Sequence, residues 1–269
     1  MKKELIYVST LDMSYEDWLQ YRYTGLGASE VGCIMGLDSY KTPAELFLEK
    51  IGREVRPTIE NMAMFHGKEL EDYVAGLWEY WDGDELSIIR NKAAGKKVRR
   101  MRKINAYVRN PKYPWLFVSV DRIINKHKNK GEGALELKTT SNYNVKKWDG
   151  DINPAHIMQL QTQTGVCEFE YGELATFVDG RKFDVYEFEY MPNIFEAIVD
   201  TTNDFWKRVI KGKALAAQHF EAKQNFDFRA AEHIQLEIDQ LEPPAVAGDV
   251  YLDFLSDKYK NANPGLVLD

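Results

Sequence analysis

The feature that most constrains the fold is the point at which the apolar periodicity changes. Up to Trp81 the apolar residues recur at helical spacing. Residues 14–21 read as a short helix with Ser14 as its N-cap and Trp18 and Leu19 turned inward. A second helix starts near Ser29, carries Val31, Ile34 and Met35 on one face, and stops at Gly36. Thr42-Pro43 opens a third, because threonine caps and proline suits the first helical position, and it runs through Leu46, Phe47 and Ile51 to Gly52. A longer helix over residues 60–81 would bury Leu70, Val74, Leu77 and Trp78. Beyond it the period falls to two. Val108 lies in a strand that closes at Asn110-Pro111, and residues 116–124 and 134–140 read as an antiparallel hairpin across the polar loop 125–133. A helix over 154–167 comes next, then a second hairpin of 174–178 and 183–190 about the turn Asp179-Gly180. From Pro192 to about Ala222, the spacing of Ile194, Ile198, Phe205 and Val209 is that of a long amphipathic helix. This order predicts an α/β domain, a mixed β-sheet flanked by α-helices, with a partly helical extension over residues 223–269.

Charge is distributed unevenly. The net charge is −7, yet residues 227–269 hold nine acidic and three basic residues, so this extension carries most of the excess. The stretch 92–103 holds Lys92, Lys96, Lys97, Arg99, Arg100, Arg102 and Lys103 and no acid. It reads either as a solvated basic loop or as a patch that tracks DNA phosphates through Arg99, Arg100 and Arg102. Cys33 and Cys167 are far apart and too few to hold an iron–sulfur cluster, and no disulfide is expected in a reducing compartment. No apolar run approaches the roughly 20 residues that span a bilayer. Met1-Lys2-Lys3-Glu4 does not open a secretory signal, so a cytoplasmic protein with no membrane partner is expected.

Glu136 and Lys138, two apart in a strand, leave the same face, while Leu135 and Leu137 point to the core. Asp121 on the partner strand can come beside Glu136. Two carboxylates and an ammonium on one strand face are costly to keep together. Two hard anions suit Mg²⁺ or Mn²⁺, and the lysine supplies a cation for an attacking water or for charge growing on phosphate. Glu-x-Lys alone is a weak signal, since the alternating charge of a solvated sheet face explains most such tripeptides.

The run from Tyr23 to Gly32, with Met35-Gly36-Leu37 and Thr42-Pro43-Ala44-Glu45-Leu46, resembles the opening motif of YqaJ-type viral recombinase exonucleases, relatives of phage lambda exonuclease. The resemblance continues through residues 65–71, Ser119-Val120-Asp121, Glu136-Leu137-Lys138 and Gln159-Leu160-Gln161, so it covers about residues 20–190 in the family's order. The stretch 243–259 is similar to the C-terminal extension of the YqaJ branch. The resemblance implies a restriction-endonuclease-like core. It implies metal ligation by Asp121, Glu136, the Leu137 carbonyl and the helix-borne Glu71, and catalysis by Lys138. Gln159 matches a glutamine near the active centre, with Gln161 and Gln163 crowding the same segment. Arg22, Ser29 and Ser119 match positions that hold a terminal 5′-phosphate. The resemblance therefore implies a Mg²⁺- or Mn²⁺-dependent exonuclease with two ions per site, resecting double-stranded DNA ends from 5′ to 3′. A single-strand annealing protein would be its partner and a homotrimer its assembly. A structure-selective or nicking endonuclease on the same core stays open, as does a DNA-end-binding factor of little catalytic rate. An acidic adaptor surface over residues 227–269 is a third possibility. His66, His127 and His156 share no metal-ligand spacing and are read as incidental.

Overall fold

The computed structural model describes residues 4–37, 41–53, 61–126, 130–147 and 152–243, with no side-chain description at 146 and 147. His127, the residues just before the long fourth helix, and the acidic extension beyond Pro243 lie outside these. The elements in chain order are β1 (Ile6–Ser9), α1 (Tyr15–Arg22), β2 (Leu26–Gly27), α2 (Ala28–Ile34), α3 (Pro43–Lys50), α4 (Met62–Trp78) and α5 (Glu85–Ala93). Then come β3 (Met101–Arg102), β4 (Ala106–Arg109), β5 (Leu116–Phe117), β6 (Arg122–Ile124), β7 (Gly133–Thr140), α6 (Asn142–Lys147) and α7 (Pro154–Cys167). The chain continues through β8 (Tyr171–Val178), β9 (Lys182–Glu189), α8 (Pro192–Gln224) and α9 (Phe228–Asp239).

Local chemistry sets the helix starts. Ser14, Thr42, Asn61 and Asp84 each accept a backbone amide from the first turn of their helix, and Thr42 and Glu45 close a reciprocal capping box. Pro154 stands in the first turn of α7 behind Asn153, whose side chain takes the Ala155 amide. Gly36 and Gly52 come just after their helices with φ of 74° and 77°, the left-handed conformation that ends a helix without strain.

The main sheet runs β3-β6-β7-β8-β9, antiparallel at every step except β7–β8, which is parallel. A parallel pair needs a crossover, and α7 lies within it. The pairs β1–β4 (antiparallel) and β2–β5 (parallel) stand beside the main sheet. One core layer joins Val31, Ile34, Phe47, Leu160, Leu174, Ile198 and Phe205 from α2, α3, α7, β8 and α8. The other joins Val74, Trp78 and Ile88 of α4 and α5 to Leu135, Leu137 and Phe177. Strand alternation sorts β7 between the two. Ala134 belongs to the first layer and Leu135 and Leu137 to the second, so Glu136 and Lys138 face the α7 side. Cys33 and Cys167 are both free and buried. Among the described residues, no helix is long and apolar enough to cross a membrane.

Residues 116–124 do not form one strand. Leu116–Phe117 pairs in parallel with Leu26–Gly27, while Arg122–Ile124 pairs antiparallel with residues 133–135. The chain breaks between them at Ser119-Val120-Asp121. The reason lies at Asp121, whose Oδ2 accepts the Leu137 amide at 2.8 Å. The side chain thereby takes the place that backbone pairing would have filled, and β6 starts only after it.

Helix α7 is held closely on both sides. A Cβ on Gly172 would lie 2.7 Å from Leu160 Cδ1, and one on Gly165 would overlap the Phe195 ring of α8. Gly165→Ala should therefore cost about 1–3 kcal/mol of overpacking, against a helix-propensity gain of about 1 kcal/mol. A lower urea midpoint is the expected result. A higher one would show that α8 yields at no cost.

Candidate active site

The site begins with the edge of β7. Strand β6 pairs only as far as Leu135, so the edge facing it is bare at Glu136, Leu137 and Lys138. Asp121 occupies that edge through the Leu137 amide. In a strand the N–H and C=O of one residue point to the same side, so the Leu137 carbonyl faces the same opening.

Glu136 is buried, and its carboxylate is held from three directions. Oε1 takes Lys138 Nζ at 2.5 Å and Gln159 Nε2 at 2.7 Å, and Oε2 takes Gln163 Nε2 at 2.6 Å. Gln159 and Gln163 are one helical turn apart on α7, so both amides reach the same carboxylate. Gln161 faces elsewhere, donating to the Glu189 carbonyl and accepting the Met191 amide. The resemblance points to Gln159, and the structure brings Gln163 to Glu136 beside it. Gln163 also donates to the Ser119 carbonyl at 2.9 Å, linking Glu136 to the strand break. Both neighbours of Nε2 are acceptors, which fixes the amide orientation and leaves its buried Oε1 without a donor among the described residues.

The electrostatics follow from burial. Asp121 is pushed from 3.8 up to about 8, first by burial and then by the neighbouring Glu136 carboxylate. Burial alone would lower the Lys138 ammonium, but the carboxylates of Glu136 and Asp121 outweigh it and hold it above the ordinary lysine range. His156, in the first turn of α7, is pushed down to about 3 by burial and then by Lys138, so its imidazole is neutral.

Two carboxylates in this position, one raised first by burial and then by its neighbour's charge, form a donor set that a divalent cation fits. Asp121, Glu136 and the Leu137 carbonyl are all hard oxygens. Glu71 on α4 stands close enough to act electrostatically on both Asp121 and Lys138. Its Oε1 is held instead by Arg122 Nη1 at 2.6 Å and Lys103 Nζ at 3.1 Å. Among the described residues, no group of three or more His, Cys, Asp or Glu side chains is gathered as a ready metal cage.

Arg22, Ser29 and Ser119 lie on neighbouring segments. Gly27 pairs with Phe117, so Ser29 and Ser119, each two residues further on, leave two parallel strands at the same end. Both serines are exposed. Arg22 stacks over Trp18 and gives Nη2 to Glu30 Oε1 at 2.5 Å. The other Glu30 oxygen takes Lys50 Nζ at 2.8 Å and the Gly27 amide at 2.9 Å. Lys50 is almost fully buried and also donates to the Arg22 and Gly25 carbonyls. Two cations thus share one carboxylate beside α2, and burial holds the Lys50 ammonium below the ordinary lysine range. Nothing in the sequence singles out Glu30 or Lys50, since their partners are set by tertiary packing.

The basic stretch is placed otherwise. Arg99 gives Nη1 to buried Glu173 at 2.5 Å and stacks on Trp78. Glu173 pairs opposite Leu135, which puts this cluster on the α4 face, away from Glu136. Arg102 binds Glu132 with both terminal nitrogens, at 2.5 and 3.0 Å. Both guanidinium groups are engaged within the fold, while Arg100 between them is exposed.

Comparison with known proteins places these features in a wider setting. The family model described as the YqaJ-like viral recombinase domain matches residues 17–170. The protein YqaJ of Bacillus subtilis (strain 168) is 35% identical over 230 residues, covering 84% of this chain. The chain spans 66% of that relative's length. Among solved structures, the alkaline exonuclease LHK-Exo of Laribacter hongkongensis superposes with a TM-score of 0.57 at 17% identity, over 78% of this chain and 99% of that one. The structure of LHK-Exo with dAMP gives 0.56 at 16% identity, over 79% of this chain and 99% of that one. These likenesses establish the fold as the restriction-endonuclease-like α/β core.

Proposed function

The chain belongs to the family of YqaJ-like viral recombinase domains, and from that premise we propose that it is a metal-dependent DNA exonuclease that resects double-stranded ends. The observation that carries the reading is the convergence of Asp121, Glu136 and Lys138 on the bare edge of β7. Asp121, Glu136 and the Leu137 carbonyl would hold one or two Mg²⁺ or Mn²⁺ ions, with Glu71 joining them once it leaves Arg122 and Lys103. Bound there, the ions would supply Lewis acidity to a phosphoryl oxygen and lower the pKa of a water. Lys138 keeps its proton at Nζ and presents a positive charge where negative charge grows on the scissile phosphate. Gln159 and Gln163 fix the Glu136 carboxylate, so the groups need little rearrangement on reaction.

We assign the terminal phosphate to Arg22, Ser29 and Ser119, which implies 5′-to-3′ resection. Glu30 holds the guanidinium by one nitrogen and also takes Lys50, so it does not serve Arg22 alone. The reading extends to a single-strand annealing protein as partner and to a homotrimeric assembly.

Digestion of linear duplex bearing a 5′-phosphate or a 5′-hydroxyl, alongside closed circles, tests the proposal. The phosphate end should be preferred about tenfold or more, as expected of a charge-assisted contact of about 1.5–3 kcal/mol. Arg22→Ala should remove the preference, and Arg22→Lys should restore little of it, because lysine keeps the charge but loses the fork. Equal cutting of circles and linear duplex would favour the endonuclease. Tight end binding with no metal-dependent nucleotide release would favour the binding factor.

A further inference from the structure

A groove of 680 Å³ runs along the outside of α8, beside Gly52 and Arg53 after α3. Tyr23, Arg53, Lys213, His219, Phe220 and Lys223 are among the residues that line it, and no carboxylate does so among the described residues. In a chain of net charge −7 this is a concentrated positive surface. Along α8, Lys213, Ala216, Ala217, Phe220 and Lys223 succeed one another at steps of one or three residues and form one stripe. The two lysines stand about 15 Å apart along the helix axis, with small alanines between them as a floor.

Arg53 supplies a second, independent observation. Its Nη1 donates to Gln235 at 2.5 Å, while its Nη2 is buried and has no acceptor among the described residues. A buried guanidinium nitrogen without an acceptor among the described residues is costly, and a turn of the Arg53 side chain into the groove would let an anion satisfy it. The Lys213 ammonium is held low by burial and then by Lys50, and the His219 imidazole by burial and then by Arg53 and Lys223. Phe220 is 63% exposed on the groove wall, with Tyr23 also lining it.

We propose that this groove binds a single strand of nucleic acid, with its phosphates against Arg53, Lys213 and Lys223 and its bases against Phe220 and Tyr23. Basic groups flanking aromatic rings are the means by which a strand is held without regard to sequence. The inference rests on the nuclease reading, in which resection leaves one strand unpaired. Lys50 lies on the groove wall and reaches through to the Arg22 carbonyl and Glu30, so the groove backs onto the residues assigned to the terminal phosphate.

The test is anisotropy of labelled oligo(dT) on the full chain with EDTA present, which separates binding from hydrolysis. Phe220→Ala and Lys223→Glu change exposed positions that carry no core packing. Each should weaken binding about fivefold or more, in line with the loss of one stacked base or one phosphate contact. Lys223→Glu should also reduce the log–log salt slope by about 0.7, while Phe220→Ala should leave the slope unchanged. Wild-type affinity in both variants would overturn the proposal. So would polyglutamate displacing the oligonucleotide at equal charge concentration, which would point to an acidic polypeptide as occupant. Groove-dependent binding without any metal-dependent nucleotide release from duplex would sink the nuclease reading and leave the groove standing. Release without groove-dependent binding would do the reverse.

Discussion

Lys138→Ala is expected to slow metal-dependent hydrolysis of linear duplex by about 10²–10³-fold, the usual cost of removing one preorganised donor from a developing oxyanion. Duplex affinity should stay within a few-fold, because the ammonium is asked to meet charge that appears only as the bond breaks. The geometry supports this division. Nζ lies 2.5 Å from Glu136 Oε1, and the Lys138 side chain is not fully enclosed, at 27% exposure. Glu136 keeps two amide donors when the lysine is lost, which limits damage to the carboxylate's position. Lys138→Met, which restores the buried methylene packing, should be equally inactive if the loss is electrostatic. Single-turnover rates and binding measured in parallel check the point. Rates near wild type in either variant would remove Lys138 from the chemistry.

Much of this arrangement could be read from the chain because it is local. The bounds of α7 follow from Asn153-Pro154 at one end and a short polar turn at the other, and the shared face of Glu136 and Lys138 follows from strand alternation alone. The single strand over 116–124 failed for a physical reason. Leu116, Phe117, Val118 and Val120 are all buried, so the apolar run continues across the break. Only the Asp121–Leu137 contact, sixteen residues apart, ends it. Helix α5 is short and leaves Leu86 and Ile89 exposed, so its apolar residues do not mark one buried face. The run of positive charges at 92–103 carried no sign of its partners, which lie 74 residues away for Arg99 and 30 for Arg102. Gln163 was equally hidden. Beyond Gln159, which the resemblance marks, Gln161 and Gln163 are alike until α7 is docked on β7 and the one-turn spacing to Gln159 selects Gln163.

Asp121→Asn should stabilise the metal-free protein while weakening its grip on divalent cations, and the two effects share one cause. In the fold the carboxyl is raised from 3.8 to about 8, by burial first and the Glu136 carboxylate second, with Lys138 and the Leu137 amide acting the other way. Unfolded, it titrates near its ordinary value. Between about pH 4 and 8 the folded chain therefore holds a proton that the unfolded chain has released. Stability from this group falls as pH rises through that window and is unaffected below it. Asparagine keeps the shape and an acceptor for the Leu137 amide but has no proton to lose. Each tenfold change in proton affinity is worth about 1.4 kcal/mol. A gain on the order of 1–3 kcal/mol at pH 8, shrinking towards zero near pH 4, is the expected result of urea titrations in EDTA. Calorimetry with Mg²⁺ or Mn²⁺ should show affinity reduced tenfold or more in the variant. In the wild type, metal binding below pH 8 should release a proton, and in the variant it should release less. A variant less stable than wild type at pH 8 would mean that Asp121 serves the structure alone. Unchanged metal affinity would move the cation away from Asp121.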